Sequence, residues 1–368
     1  YIIYKSKKGF NLYTDFSKKI ILNNKNIENF LKKKFKKKTK KTDLFIGFFG
    51  YELLNNLINI KIPRQKNINF PKGIFYKPEK IINLNNNLKY KSTKDAKNSD
   101  FKININKNSY TKIFDKFKKK IKSGETYQIK ICTKYKTKSK INPLDFFTRL
   151  SKTNLAPEAF MIKDKNYSII SCSPENLITK KGSEISTKPI AGTVKKTKSM
   201  NKIKALNYFK KNIKETKEHN MIVDMERNDL SRVCKVGSVK LSKQKIVEEY
   251  KDLFHYVSLI KGKLKKNIKN IDIIKAMMPG GSVIGCPKIN TLNLLNNQEK
   301  ENRNIYTGSF GYIKFNGDMR FNIIIRSILN FKNFSEISVA SGVVVDSNSS
   351  HEFNENFIKA KALIDLFK

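Results

Sequence analysis

Strand-like and helix-like segments follow one another along this chain without a regular strand–helix–strand alternation, and that order excludes most architectures. From Tyr110 the pattern predicts a helix to about Lys122, a strand near Tyr127–Thr133, a helix near Pro143–Lys152, and strands near Ala159–Ile162 and Ser168–Ser171. A long helix is expected from about Met200 to Met225. Strands are expected around Thr307–Phe315, Arg320–Leu329 and Glu336–Val345, then a terminal helix from about Ser350. Parallel sheets need a long crossover, usually a helix, between strands. The expected class is therefore α+β, with two packed, mostly antiparallel sheets flanked by helices. Nearer the start, Asp43–Asn56 reads as a buried strand leading into a helix, and the lysine run Lys32–Lys41 as a solvated helix face and loop. Residues 91–108 are polar and read as a linker, giving an N-terminal subdomain at 1–95 and a larger domain at 109–368. No internal repeat is visible.

The 368 residues are 39% hydrophobic, enough for one large core or two modest ones. No apolar stretch reaches the roughly eighteen residues of a membrane span, and Tyr1–Phe10 lacks the apolar core of a secretory signal. Cys132, Cys172, Cys234 and Cys286 lie far apart with no zinc-like spacing, which reads as reduced thiols in the cytoplasm. The net charge of +45 raises a nucleic-acid hypothesis. However, Lys is spread along the whole chain together with abundant Asn and Ile, all residues with A/T-rich codons, so the charge reads as genome bias. With no helix-turn-helix, RNP-like or zinc-finger pattern, only weak, salt-sensitive polyanion binding is expected. A basic nucleic-acid-binding protein remains as a remote alternative of a different class.

Against that lysine background, rarer residues carry information. Arginine occurs at only seven positions: 64, 149, 227, 232, 303, 320 and 326. Where drift favours Lys, Arg marks a need for a planar, bidentate cation. Arg326 ends the β-branched run FNIII, where a charge is costly without a partner; that partner is either a carboxylate ligand or a structural acid. Glu215 and Glu218 sit three apart, as do Glu352 and Glu355, so each pair shares a helix face. Four carboxylates from two helices suit Mg²⁺, and they equally suit pairing with surrounding lysines. Lys359, four residues after Glu355, shares its face and could meet a substrate carboxylate. His255 lies among apolar residues, as a core histidine or a catalyst. Glycines at 192, 280, 281, 285, 308, 311 and 342 offer close backbone approach to a ligand.

The blocks GETYQIKI, SCSPENLI, KPIAGT, KEHNMIVDMERNDLSRV, FHYVS, MMPGGSVIGCPKI, YTGSFGY, IIIRS and ASGVVVDSNSSHEFNENFIKAKAL occur in one order from Tyr110 onward. In that order they resemble the chorismate-utilising enzymes, specifically component I of aminodeoxychorismate and anthranilate synthases. GFFGYEL near residue 50 extends the likeness. The resemblance implies an anthranilate synthase component I-like fold, with 109–368 as the chorismate-binding catalytic domain. It implies Glu218 and Glu355 as Mg²⁺ ligands, with Glu215 and Glu352 as helpers. Tyr306, Arg326 and Gly342 then hold chorismate, with Gly192, Thr193, Ser282, Gly285 and Lys359 lining the pocket. Glu175 matches the general acid that helps the C4 hydroxyl leave, and His255 the active-site histidine; Arg227, Asn228 and Asp229 read as structural.

Gln128 stands where water-adding relatives resemble one another in placing a lysine base, and an amide cannot deprotonate water, so ammonia is the expected nucleophile. Lys130, on the same strand face, departs from the Asn or apolar residue expected there; it either reaches the pocket or reflects lysine drift, and the reading leans slightly to drift. PGGS, GFFGYEL and the absence of a tryptophan-binding LLES-type motif resemble aminodeoxychorismate synthase. Ala191 resembles anthranilate synthase instead, because many aminodeoxychorismate synthases carry a nucleophilic lysine there. Val194 and Ser231 also depart from the usual pattern. The reading favours 4-amino-4-deoxychorismate as product, with anthranilate as the alternative. No cysteine sits in a nucleophile elbow, so ammonia is expected from solution or from a separate glutamine amidotransferase subunit in a heterodimer.

Overall fold

The computed structural model describes residues 1–6, 9–32, 39–63, 68–84, 100–153, 156–250 and 253–368. Among these, eighteen strands join into one hydrogen-bonded sheet in which every pairing is antiparallel. From Gln128–Lys138 the ladder passes through Phe334–Val343, Ser327–Phe331, Tyr167–Ser173, Glu158–Lys163 and Ile2–Ser6. It continues through Gly9–Ile21, Gly73–Asn83, Leu44–Phe49, Ser309–Lys314, Met319–Asn322, Asn176–Lys181, Glu184–Lys188 and Leu253–Lys263. The ribbon folds back on itself. Phe160 of the first half stacks on Phe310 of the second at 3.7 Å, and Ile46, Phe48, Ile169 and Ile324 fill the interior around them. The two expected layers are thus halves of one continuous sheet, joined where Ile2–Ser6 pairs with Gly9–Ile21.

Each outer face is closed by amphipathic helices. Phe146, Phe147 and Leu150 of the helix Pro143–Thr153, with Leu363 of Ser349–Ile364, cover Met161, Ile170, Ile328 and Ile337. On the other layer Leu53, Leu54, Val223, Leu230 and Ile274 cover Phe75, Ile178, Ile260 and Phe321. Each such side chain contributes about 1.5–3 kcal/mol on burial, so these three apolar strata supply most of the driving force. Strands from residues 1–83 are built into both layers, Ile2–Ser6 against Glu158–Lys163 and Leu44–Phe49 against Ser309–Lys314. The expected division of 1–95 from 109–368 therefore does not fall between two separate sheets. Residues 91–99 of the expected linker and 33–38 of the lysine run lie outside the described residues.

Two local departures shape the site. The single helix expected over 200–225 is two, Lys202–Lys211 and Ile213–Val233. Asn212 separates them with an extended ψ of 95°, its side chain accepting the Glu215 N–H at 3.1 Å. Asn competes for backbone donors and so begins a new helix rather than continuing the old one. The strand expected over 320–329 is likewise broken. Met319–Asn322 pairs with Asn176–Lys181 in one layer, and Ser327–Phe331 with Tyr167–Ser173 in the other. Residues 323–326 carry the chain across, and Arg326 takes φ +50°, outside the strand region. Pro174 and Glu175 make the same crossing between Tyr167–Ser173 and Asn176–Lys181. The two crossings are tied together where the Ile323 N–H donates to the Glu175 carbonyl at 3.1 Å.

Candidate active site

Where the chain changes layers, neither sheet fills the space, and a cavity of about 870 Å³ opens. Glu175 and Arg326 enter it from the two crossings; Glu215 and Glu218 enter from the helix Ile213–Val233, and Glu352, Glu355 and Lys359 from Ser349–Ile364. Ser282, Thr193, Tyr306 and Gly342 also line it. The two acidic helix faces, more than a hundred residues apart in the chain, thus meet around one space. Gln128, Gly192, His255 and Gly285 are not on the wall and sit one layer behind it.

Glu175 is 5% exposed, and burial pushes its pKa up to about 7; the Ser282 hydroxyl, donating to Oε1 at 2.7 Å, opposes that shift. A carboxylic acid that keeps its proton near neutrality can give it away. Arg326 makes no ion pair or side-chain hydrogen bond among the described residues, and burial lowers its pKa. A guanidinium stays charged regardless. Of the two partners open from sequence, no structural acid meets it; it is a cation aimed into the cavity and suited to a carboxylate.

Glu218 and Glu355 are held ionised. Lys130 Nζ stands 3.1 Å from Glu218 Oε1, and the Gln128 amide donates to the same oxygen at 2.9 Å. Lys130, with help from Gln128, holds Glu218 down at about 2 despite burial. Lys130 thus reaches the site, contrary to the expectation of drift. Burial works against its charge, but Glu218, then Glu355 and Glu175, outweigh it and raise its pKa. Gly342 pairs with Lys130 in register, and a Cβ there would come within 2.7 Å of Lys130 Nζ and 2.9 Å of Gln128 Nε2. A larger residue there would push one or both donors away from Glu218. Lys359, expected to face a substrate carboxylate, instead pairs with Glu355 at 2.7 Å and donates to the Ala340 carbonyl at 3.0 Å. Ser347 donates to Glu352 at 2.9 Å. Glu352, Glu355 and His351 each bring a ligand atom within 4.8 Å of the others. These three sit on one helix, while Glu215 and Glu218 line the same cavity from the helix Ile213–Val233. A donor set rich in carboxylate oxygen fits a hard divalent cation such as Mg²⁺. His351 was missed in the sequence, where HEFNENF gives it the same helix turn as Glu352.

The residues behind the wall position others. His255 is within hydrogen-bond distance of the Thr193 hydroxyl, 2.9 Å from Nδ1; burial, then Arg326, lowers its pKa to about 4, so it is neutral at pH 7. It orients Thr193 rather than facing the cavity. Gly285, at φ +133°, lets its strand lie on the Gln128 backbone, where a Cβ would sit 2.0 Å from the Gln128 carbonyl oxygen. Gly192 makes room for the Phe209 ring beside Glu215. Ala191 lies in the strand Ile190–Lys195, and its side chain is outside the described residues. Arg303, fully buried, stacks on the Tyr51 ring and donates to the Lys130 carbonyl at 3.1 Å, bracing that strand beside Tyr306. Asp229 pairs with Lys288 in the interior, in keeping with a structural role.

The sequence model described as chorismate binding enzyme matches residues 1–365. The chain belongs to this family. It is 35% identical over 264 residues, 72% of the chain, to aminodeoxychorismate synthase component 1 of Bacillus subtilis, and spans 56% of that relative's length. The fold superposes on anthranilate synthase component I of Streptococcus pneumoniae with a TM-score of 0.81 at 24% identity, covering 96% of this chain and 91% of the other. It also superposes on the menaquinone-specific isochorismate synthase of Escherichia coli with a TM-score of 0.79 at 15% identity, covering 100% and 88%. An anthranilate synthase component and an isochorismate synthase thus share this fold, and the fold alone does not give the reaction. No helix among the described residues is long and apolar enough to cross a membrane.

Proposed function

We propose that this protein is the synthase component of an aminodeoxychorismate synthase, replacing the C4 hydroxyl of chorismate with an amino group from ammonia. The observation that carries the reading is the pairing, in one cavity, of a protonated Glu175 with the unpartnered Arg326. Arg326 grips one carboxylate of the dianionic substrate. Glu218 and Glu355, flanked by Glu215 and Glu352, hold Mg²⁺, which when bound neutralises and orients the other carboxylate. Hydroxide leaves poorly, so Glu175 delivers its proton as the carbon–oxygen bond breaks, and the hydroxyl departs as water. Ammonia bonds to C4, where the hydroxyl left, and returns a proton to the Glu175 carboxylate, so chorismate and ammonia become aminodeoxychorismate and water.

The choice of nucleophile rests on what is missing beside it. Water needs a base; Gln128 has no titratable group, and Lys130 keeps its proton in the salt bridge to Glu218. Ammonia needs no base. Burial raises the pKa values of Cys132 and Cys172 to about 12 and of Cys234 to about 11, so they supply no thiolate for releasing ammonia from glutamine. A glutamine amidotransferase subunit is the proposed source, and the cytoplasm the proposed location. Anthranilate synthase is the second reading, favoured by Ala191. Incubation with chorismate, Mg²⁺ and ammonium followed by chromatography separates the two. An amino-chorismate that a lyase converts to 4-aminobenzoate is expected; anthranilate would overturn the first choice. Glu355→Gln should abolish either product.

A further inference from the structure

Lys130 performs no step of the chemistry above, yet its ammonium is bonded to Glu218 Oε1. We propose that Lys130 is a resident counter-ion that stands in for the divalent cation at Glu218 and must be displaced for the metal to bind, so that it sets the Mg²⁺ affinity. This rests on the reading of Glu218 as a metal ligand.

Glu218 Oε1 receives both the Lys130 ammonium at 3.1 Å and the Gln128 amide at 2.9 Å. A carboxylate oxygen has two lone pairs, so a metal approaching Oε1 must remove one donor. Gln128 is held by its strand end, against Cys286 in register. The Lys130 backbone is also fixed, its N–H donating to the Ile284 carbonyl at 3.0 Å and its carbonyl accepting from Arg303 at 3.1 Å. Only the four-carbon lysine stem is free to turn, and a lysine point charge has no geometry to defend. Gly342 directly opposite gives the ammonium the room it now occupies, so the backbone does not lock it in place.

Charge gives the same answer. Glu218 with Lys130 and Glu355 with Lys359 are two neutral pairs. A divalent ion bound to a carboxylate that still holds its lysine meets that ammonium as a like charge at close range, which is costly in a partly desolvated cavity. Lys359 is anchored a second time, at the Ala340 carbonyl, whereas Lys130 Nζ bonds only Glu218 among the described residues. Lys130 is the one that yields.

The test is isothermal titration of the full chain with Mg²⁺ and no substrate, comparing wild type, K130M, K130Q, E218Q and K130M/E218Q, with folding checked by circular dichroism. K130M and K130Q, alike in charge but different in packing, should both bind Mg²⁺ at least about tenfold more tightly. In the E218Q background the same lysine change should alter affinity less than about twofold. If E218Q weakens binding but neither Lys130 variant tightens it, the counter-ion inference falls and the metal assignment stands. If E218Q binds Mg²⁺ as wild type does, both fall.

Discussion

The proton on Glu175 is the point at which this site can be pushed in a known direction. Burial holds the carboxyl near 7, and the Ser282 hydroxyl at 2.7 Å pulls the other way by stabilising the charged form. Ser282→Ala removes that support. A hydrogen bond to a charged group contributes about 1.5–3 kcal/mol, and at 1.36 kcal/mol per unit this is roughly 1–2 pKa units. The group works as an acid, so it must be protonated. Wild-type kcat/KM should therefore fall as pH rises through about 7, and in Ser282→Ala the fall should move up by roughly 1–2 pH units. The assay is steady-state amination with ammonium across about pH 5 to 10, with rates referred to free ammonia, since kcat/KM reports the free enzyme's groups. Glu175→Gln, which keeps the shape and loses the proton, should lower kcat by about 10²–10⁴. A Ser282→Ala profile that stays in place or moves to lower pH would refute the assignment of Glu175 as the acid.

Other outcomes follow from the same geometry. Arg326→Ala should raise KM for chorismate by at least about tenfold while leaving thermal stability unchanged or higher, because a buried cation without an internal partner costs free energy; loss of both would mark the residue as structural. Gly285→Ala should lower stability by about 2 kcal/mol or more, because φ is +133° and the new Cβ would meet the Gln128 carbonyl; denaturant titration reads this directly. Glu226, buried with the Thr187 hydroxyl on it, has its pKa raised by burial, then by Glu175, to about 8. Its folded pKa lies above the unfolded value, so the folded state binds the extra proton and stability falls as pH rises from about 4.5 through about 8. Glu226→Gln should accordingly raise the melting temperature clearly at pH 9 and little at pH 5; an equal gain at both would exclude a titrating carboxyl.

Strands such as Gln128–Lys138, Tyr167–Ser173, Ser309–Lys314 and Phe334–Val343 were legible because alternation and β-branching report strands wherever one face is buried. Ile2–Ser6, Gly9–Ile21, Gly73–Asn83 and the strands between Asn176 and Lys263 were not read. The helices Pro143–Thr153 and Ser349–Ile364 fell within a residue or two of expectation. What the pattern could not carry was position between layers. The apolar run 321–325 reads as one strand, but its residues are buried because they pass from one layer to the other, and periodicity does not register that. The break at Asn212 was readable in principle: Asn followed three residues later by Glu215 is a helix-start signature inside a stretch read as continuous. Pairing the acids by spacing of three succeeded because that rule concerns a helix face, which is local. Lys130 was misjudged for the opposite reason. Its meaning depends on Gly342 opposite it and on Glu218 from a distant helix, and neither is visible from a lysine in a lysine-rich chain. His255, Gly192, Gln128 and Gly285 belong to the same machinery but act on side chains and backbone that face the cavity, a distinction that motif matching does not make.

We propose that Arg326, Glu175 and two acidic helix faces serve a single small dianion. A crystal soaked with chorismate and Mn²⁺, with anomalous data, tests it most directly. Anomalous density between Glu218 and Glu355, a substrate carboxylate on Arg326 and the ring hydroxyl turned toward Glu175 are predicted. Chorismate bound away from Arg326, or a metal peak remote from both glutamates, would contradict it.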